Sequence, residues 1–342
     1  MWPAENSNSA GIFARARQVL PGGISRLLTW VDPYPIYAKR GIGAYIEDVD
    51  GVRRLDLLNN FASLIHGHAF PPVVEAVGEV ISNGSCFAFP TEREIALAEL
   101  LVDRVASIDK VRFCNSGTEA VMIALKAARA RTGRHRIAKI EGAYHGMYDH
   151  AEVSLDSTPD NWGNAPASIP HTHGTPPAVL DDTLVLPLNQ PEEAERLIRA
   201  GADTLAAILI DPVPTQIGMI EMTPEFIQTI QKVARDIGAL IVIDEVIAFR
   251  LDYHGAQARY GIKPDLTTFA KIIGGGYPVG AICGTDAAMA VFSHEYGHPL
   301  NPSSGTFTGN PVSMAAGLAT MDALTPDVYK RLETAGENAR AG

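Results

Sequence analysis

Short apolar or β-branched runs alternate with amphipathic stretches along most of the chain. KVRFC, RIAKI, LAAILI, ALIVI, LTTFA and VGAIC have strand length, and TEAVMIALKAARARTG, PEEAERLIRA and TPEFIQTIQKVARDIG between them carry helical spacing. Strands separated by amphipathic helices predict an α/β fold with a mainly parallel sheet covered on both faces. Thr223 and Pro224 read as the cap and first residue of a helix closed by Gly238, and Asn310-Pro311 opens another. The first fifty residues, with LPGG, DPYP and GIGAYIEDVDG, read instead as turns and an antiparallel hairpin, which predicts a small N-terminal lobe. Segment 155–180 is rich in Pro, Gly, Asn and Ser and too long for a simple connection; a lid or channel loop and an ordinary surface excursion both fit it. The closing TPDVYKRLETAGENARAG stops inside a helical pattern, as a fragment of a longer protein would.

Composition narrows the class. With 342 residues, 46% of them hydrophobic, the chain can bury a sizeable core. A net charge of -11 argues against nucleic acid and anionic membrane surfaces as partners. No signal-peptide pattern opens the chain and no run approaches a membrane span, so a cytoplasmic location is the default expectation. Cys86, Cys114 and Cys283 are scattered and odd in number, which predicts buried free thiols.

In an open parallel sheet, ligands bind beyond the carboxyl ends of the strands. After KVRFC stands Asn115-Ser116-Gly117-Thr118-Glu119, in which Ser116 and Glu119 have capping-box spacing; free N–H groups at such a helix start suit a phosphate, although many capped starts are only structural. After LAAILI comes Asp211-Pro212, and after ALIVI comes Asp244-Glu245. Asp244 follows an apolar run and would be costly there without a cationic partner, although a strand-end acid also serves as a cap or ion-pair member. After LTTFA comes Lys271, followed by IIGGG; apolar flanks desolvate an amine and absent side chains let a second molecule approach it, whereas the plain alternative is an exposed lysine before a turn. His66/His68 and His171/His173, with Asp244 and Glu245, leave a metal-dependent hydrolase as an alternative, without a locatable third ligand. A phosphate cradle, a buried carboxylate and a desolvated lysine together match pyridoxal 5'-phosphate.

The motifs NSGTEAVMIALKAAR, EGAYHGMYD, LIVIDEVIAFR, YGIKPDLTTFAKIIGGGYPVGAICG and SGTFTGNPVSMAAGL, in this order, resemble the class III pyridoxal-phosphate aminotransferases of fold type I. The resemblance implies a seven-stranded-type sheet sandwiched by helices, with residues 1–55 in a small α+β lobe, 56–322 in the large cofactor-binding domain and 323–342 beginning a C-terminal lobe. It implies that Lys271 is the Schiff-base lysine and Asp244 the partner of the pyridinium nitrogen. Val246 and Tyr144 would pack on the two ring faces, and Ser116, Gly117 and Thr118 would hold the phosphate. Thr306 matches a threonine that reaches the phosphate of a neighbouring subunit, so a homodimer is implied. Where the family carries Glu-Pro, this chain has Asp211-Pro212, which reads as a residue standing behind the site.

Within the family, LPGGISRLLTWVDPYP resembles the turn of aromatic β-amino acid aminotransferases, whereas glutamate-1-semialdehyde aminomutases carry a longer polar insert before their arginine. Arg26 then reads as the clamp on a substrate carboxylate. The expectation is amino transfer from an amino acid, preferably a β-amino acid, to a keto acid such as 2-oxoglutarate. The alternatives are an aminomutase and, from another class, a non-catalytic phosphate- or nucleotide-binding module.

Overall fold

A computed structural model describes Trp2 and residues 6–162, 166–295 and 297–342. Seven strands form the main sheet: β4 (Lys110–Cys114), β5 (Arg136–Ile140), β6 (Thr183–Leu186), β7 (Leu205–Ile210), β8 (Leu240–Asp244), β9 (Leu266–Ala270) and β10 (Gly280–Gly284), in the order β4-β10-β9-β8-β7-β5-β6. The smaller sheet is the antiparallel meander β1 (Ala38–Ile42), β2 (Tyr45–Asp48) and β3 (Arg53–Leu55). Pairing is parallel from β6 through β9, and β10 alone runs antiparallel, between β9 and β4. VGAIC carries no direction signal, because a strand buried on both faces has the same apolar composition whichever way it runs.

Every residue of β7, β9 and β10 is buried, because helices cover both faces. On one face the helix Gly117–Thr132 lays Val121, Ala124 and Leu125 against Ala207 and Val242. On the other, Phe226, Ile230 and Val233 of the helix Pro224–Ile237 pack with Ile208 and Ile241, while Met314 and Met321 of the helix Pro311–Ala323 meet Phe269 and Ile273. The expected helix ends are as read: Thr223 Oγ1 accepts from Phe226 N, Pro224 is the first helical residue, and Gly238 closes the turn at φ 69°. Asn310 caps the helix that begins at Pro311 through Ser313 N.

Of the cysteines, Cys114 and Cys283 are buried, but Cys86 is exposed, contrary to expectation, because it follows the helix Pro71–Asn83 in an open loop. Just before segment 155–180, Ser154 anchors it by accepting from Ile169 N and donating to Ala167 O, while residues 163–165 of the segment, for which a lid or channel loop and a surface excursion both stand open, lie outside the described residues. Among the described residues, no helix is long and apolar enough to cross a membrane.

Candidate active site

The carboxyl ends of β4, β7, β8 and β9 converge on one cavity of about 360 Å³. Lys271 enters it from a 3-10 turn, Lys271–Gly274, that follows β9 directly. Ile272 and Ile273 are buried behind it and hold the turn, and Lys271 itself adopts φ 50°, a left-handed conformation that costs a side-chain-bearing residue energy and often marks a working site. Burial lowers the proton affinity of the Lys271 amine, and the neighbouring carboxylates of Asp244 and Asp211 partly restore it.

Asp244 ends β8 and is 5% exposed. Val246 N donates to its Oδ1 at 2.9 Å and Thr268 Oγ1 donates to the same oxygen at 3.4 Å, while His145 Nδ1 stands 2.8 Å from Oδ2. His145 is fully buried; burial lowers its pKa, the bond and charge of Asp244 oppose this, and Lys139 lowers it further. A neutral ring protonated on Nδ1 satisfies this geometry, donating to Asp244 and leaving Nε2, which has no hydrogen-bond partner among the described residues, as an acceptor rather than an orphaned donor. Sequence reasoning singles out Tyr144 and misses its neighbour His145, because no local pattern marks a ring that turns inward beside Gly146, which adopts φ 88°. Glu245 faces away, its carboxylate accepting from Ala256 N at 2.7 Å and Gln257 N at 2.8 Å, and burial raises its pKa to about 7.

The turn after β4 carries the helix start as expected, with Ser116 Oγ accepting from Glu119 N at 3.1 Å. The reciprocal half differs from a simple capping box: Glu119 Oε2 takes Asn115 N at 2.8 Å and Asn115 Nδ2 at 3.1 Å, one residue further out. The first-turn N–H groups at Gly117 and Thr118 have no carbonyl within the helix to bond, and both residues line the cavity. A Cβ at Gly117 would press within 3.1 Å of the Val246 methyls, and one at Gly280 would collide with the Ser116 carbonyl. Tyr144, 38% exposed, borders the same space. So does Asp211, which corrects its expected place behind the site: Pro212 and the short side chain leave the carboxyl on the wall, where Val213 N donates to Oδ1 at 2.9 Å. Burial and then the charge of Asp244 raise the pKa of Asp211 to about 8.

Seven of the nine expected site residues therefore share one cavity: Ser116, Gly117, Thr118, Tyr144, Asp244, Val246 and Lys271. Arg26 and Thr306 are exposed and stand outside its wall. Arg26 nevertheless reaches the rim, donating from Nη1 to Oδ1 of Asn60, a lining residue, at 3.0 Å. Three of the four histidines considered for a metal are separately engaged: His66 Nε2 lies 3.0 Å from Thr320 O, His68 pairs with Asp56 at 2.7 Å, and His171 Nδ1 lies 2.5 Å from Asp156. Among the described residues, no group of three potential metal ligands converges.

An amine of lowered proton affinity, a carboxylate held by a buried imidazole, and a glycine-lined helix start make a donor set that fits pyridoxal 5'-phosphate. Comparison with known proteins agrees. The family profile described as Aminotransferase class-III matches residues 28–340. Glutamate-1-semialdehyde 2,1-aminomutase of Methanothermobacter thermautotrophicus is 42% identical over 335 residues, covering 98% of this chain and 77% of its own. An omega-transaminase from Sphaerobacter thermophilus superposes with a TM-score of 0.96 at 53% identity, over 98% of this chain and 77% of that one. A transaminase solved with pyridoxal phosphate bound gives 0.93 at 44% identity, over 97% and 77%.

These relatives correct one expectation. A β-amino acid donor with a separate keto acid acceptor does not stand against a relative, 42% identical over nearly the whole chain, that bears the name of an intramolecular aminomutase. The physical reason is that the motif behind the expectation lies around Arg26, outside the cavity wall, where a guanidinium meets any carboxylate alike.

Proposed function

Because this chain belongs to the class III aminotransferase family, whose enzymes use pyridoxal phosphate, we propose that it is an aminomutase of the glutamate-1-semialdehyde type. It exchanges an amino and an oxo group between neighbouring carbons of one small carboxylate-bearing molecule. The observation that carries the chemistry is the convergence of Lys271, Asp244 and the Ser116–Thr118 turn on one cavity; the choice of an intramolecular reaction rests on the aminomutase relative. When bound, the cofactor supplies an electron sink that acidifies the carbon bearing the nitrogen.

The chain's own groups do the rest. Lys271, an amine of reduced basicity, would take a proton from the carbon on one side of the bound nitrogen and return it to the carbon on the other side. Asp244, oriented by His145 and Val246 N, would be the carboxylate that keeps a proton on the cofactor's ring nitrogen. Gly117 and Thr118 offer N–H groups to a phosphate, Ser116 caps the helix that aligns them, and Val246 and Tyr144 bound the slot for a flat ring. Arg26 meets the substrate carboxylate at the rim.

Thr306 sits on an exposed turn beside Phe307, 59% exposed, in keeping with delivery to a second subunit, and a homodimer is part of the proposal. The test supplies glutamate-1-semialdehyde without any amino acceptor. Isomer formation, and loss of both the cofactor's visible band and the activity in Lys271→Ala, are expected; turnover that requires added 2-oxoglutarate and yields glutamate from it would overturn the isomerase reading.

A further inference from the structure

Between β3 and the helix Pro71–Asn83 the backbone turns the wrong way for four consecutive non-glycine residues: Asn59 at φ 57°, Asn60 at 48°, Phe61 at 54° and Ala62 at 68°. Single residues visit this region; a run of four amounts to a left-handed helical turn, which L-residues disfavour at each position. Such a run persists only where the surroundings over-determine it. Here Asp56 Oδ1 accepts from Leu58 N and Asn59 N at 2.9 and 2.8 Å, with His68 closing on its other oxygen at 2.7 Å. Asn59 Oδ1 accepts from Leu64 N at 2.7 Å, and Arg250, from beyond β8, donates to Ala62 O at 3.2 Å.

What this turn presents is specific. Asn60 offers Oδ1 to Arg26 Nη1 at 3.0 Å, and its own amide nitrogen donates to Ser63 Oγ at 2.9 Å, which fixes which end of the amide faces the guanidinium. Phe61 lies under the same guanidinium, with Arg26 Cζ 4.7 Å from the ring centroid. Asn60 and Ser63 also line the cavity that holds Lys271. A right-handed turn would send successive side chains in other directions and separate the amide from the ring. Arg26 caps an exposed 3-10 segment, Leu27–Thr29, and among the described residues its guanidinium makes no other hydrogen bond, so the turn supplies its orientation.

We propose that the left-handed turn Asn59–Ala62 is a specificity element: Asn60 and Phe61 are positioning residues that hold the Arg26 guanidinium, with donors left over, toward the carboxylate of the substrate. Of five guanidinium N–H donors, the amide engages one face-edge group and the aromatic ring none, so an edge stays open for a bidentate carboxylate. The inference rests on the reading of Lys271 and its cavity as the reacting site.

The test compares wild-type holoenzyme with Asn60→Gly, Phe61→Leu and Phe61→Tyr. Glycine accepts φ near +50°, so Asn60→Gly keeps the turn while removing the amide. Calorimetric binding of pentanoate, a carboxylate without an amino group, should weaken about tenfold in Asn60→Gly and Phe61→Leu and persist in Phe61→Tyr. KM for the amino-carboxylate substrate should rise by a similar factor, while kcat falls less than twofold. The melting temperature of Asn60→Gly should match or exceed that of wild type. Unchanged pentanoate binding in holoenzyme that retains its visible band would overturn the inference and leave the cavity reading standing. A weakened KM accompanied by a lower melting temperature would also overturn it, as a folding effect; failure of the wild-type chain to take up the cofactor would overturn both.

Discussion

At the scale of single residues, the cavity wall is a set of groups pushed away from their ordinary proton affinities by burial. Asp211 has a folded pKa of about 8 against 3.8 for a free aspartate, so the native state holds a proton that the unfolded chain releases. Its contribution to stability is complete below pH 3.8 and is lost as pH rises through about 8. With cofactor removed, the melting temperature of Asp211→Asn relative to wild type should therefore climb between pH 5 and 8 and level off above; a constant difference would show the carboxyl to be ionised throughout. Lys139 runs the other way. It is wholly buried, among the described residues its Nζ donates only to Val153 O at 2.6 Å, and burial lowers its pKa from 10.5 to about 7. Its stabilising contribution is complete above pH 10.5 and lost as pH falls through about 7. Lys139→Met should thus gain on wild type by a few kcal/mol as pH drops from 10 to 6 in denaturant titrations. Lys271, Asp244 and the Ser116 turn were legible in the sequence because each follows an apolar run and breaks its pattern. His145 was not, since nothing in a YHG triplet says that the ring will turn inward to a carboxylate 99 residues away.

At the scale of elements, the caps and strands could be read because they depend on neighbours in sequence. Thr223, Pro224 and Gly238 delimit their helix by local rules alone. The direction of β10, the left-handed turn at Asn59–Ala62 and the extra reach of Glu119 depend on neighbours in space, and no local pattern announces them. One close approach is open to direct test. A Cβ at Gly317, on the helix Pro311–Ala323, would strike the carbonyl of Ile273 inside the turn that carries Lys271. Gly317→Ala should cost about 1–3 kcal/mol of stability by overpacking. Because the displaced turn is the one bearing the amine, cofactor titration should also show weaker uptake; a variant with reduced stability and unchanged uptake would mean that the helix yields instead.

At the scale of the whole molecule, the surface is less polar than a charge of -11 suggests. Leu27 and Leu28 are 81% and 73% exposed, Phe89 is 81% exposed, and Phe307 is 59% exposed beside Thr306. In the proposed homodimer, side chains such as these would be covered by the second subunit. Sedimentation should give twice the 36.6 kDa chain mass, and Phe307→Asp should lower that mass and loosen the cofactor together. A wild-type chain that sediments at 36.6 kDa with full cofactor occupancy would remove the second subunit from the proposal.

The reversed strand has a metric consequence. β10 lies between β4 and β9, and Gly280 is opposite both Cys114 and Ala270, so the amide cradle and the amine follow strands that have one strand between them. Two ladder spacings of about 4.8 Å put roughly 10 Å between the backbones that carry them. The sheet thereby acts as a gauge of molecular length: an isolated phosphate or a short amine can engage one post, whereas a ring with a phosphate-bearing arm is long enough to span both.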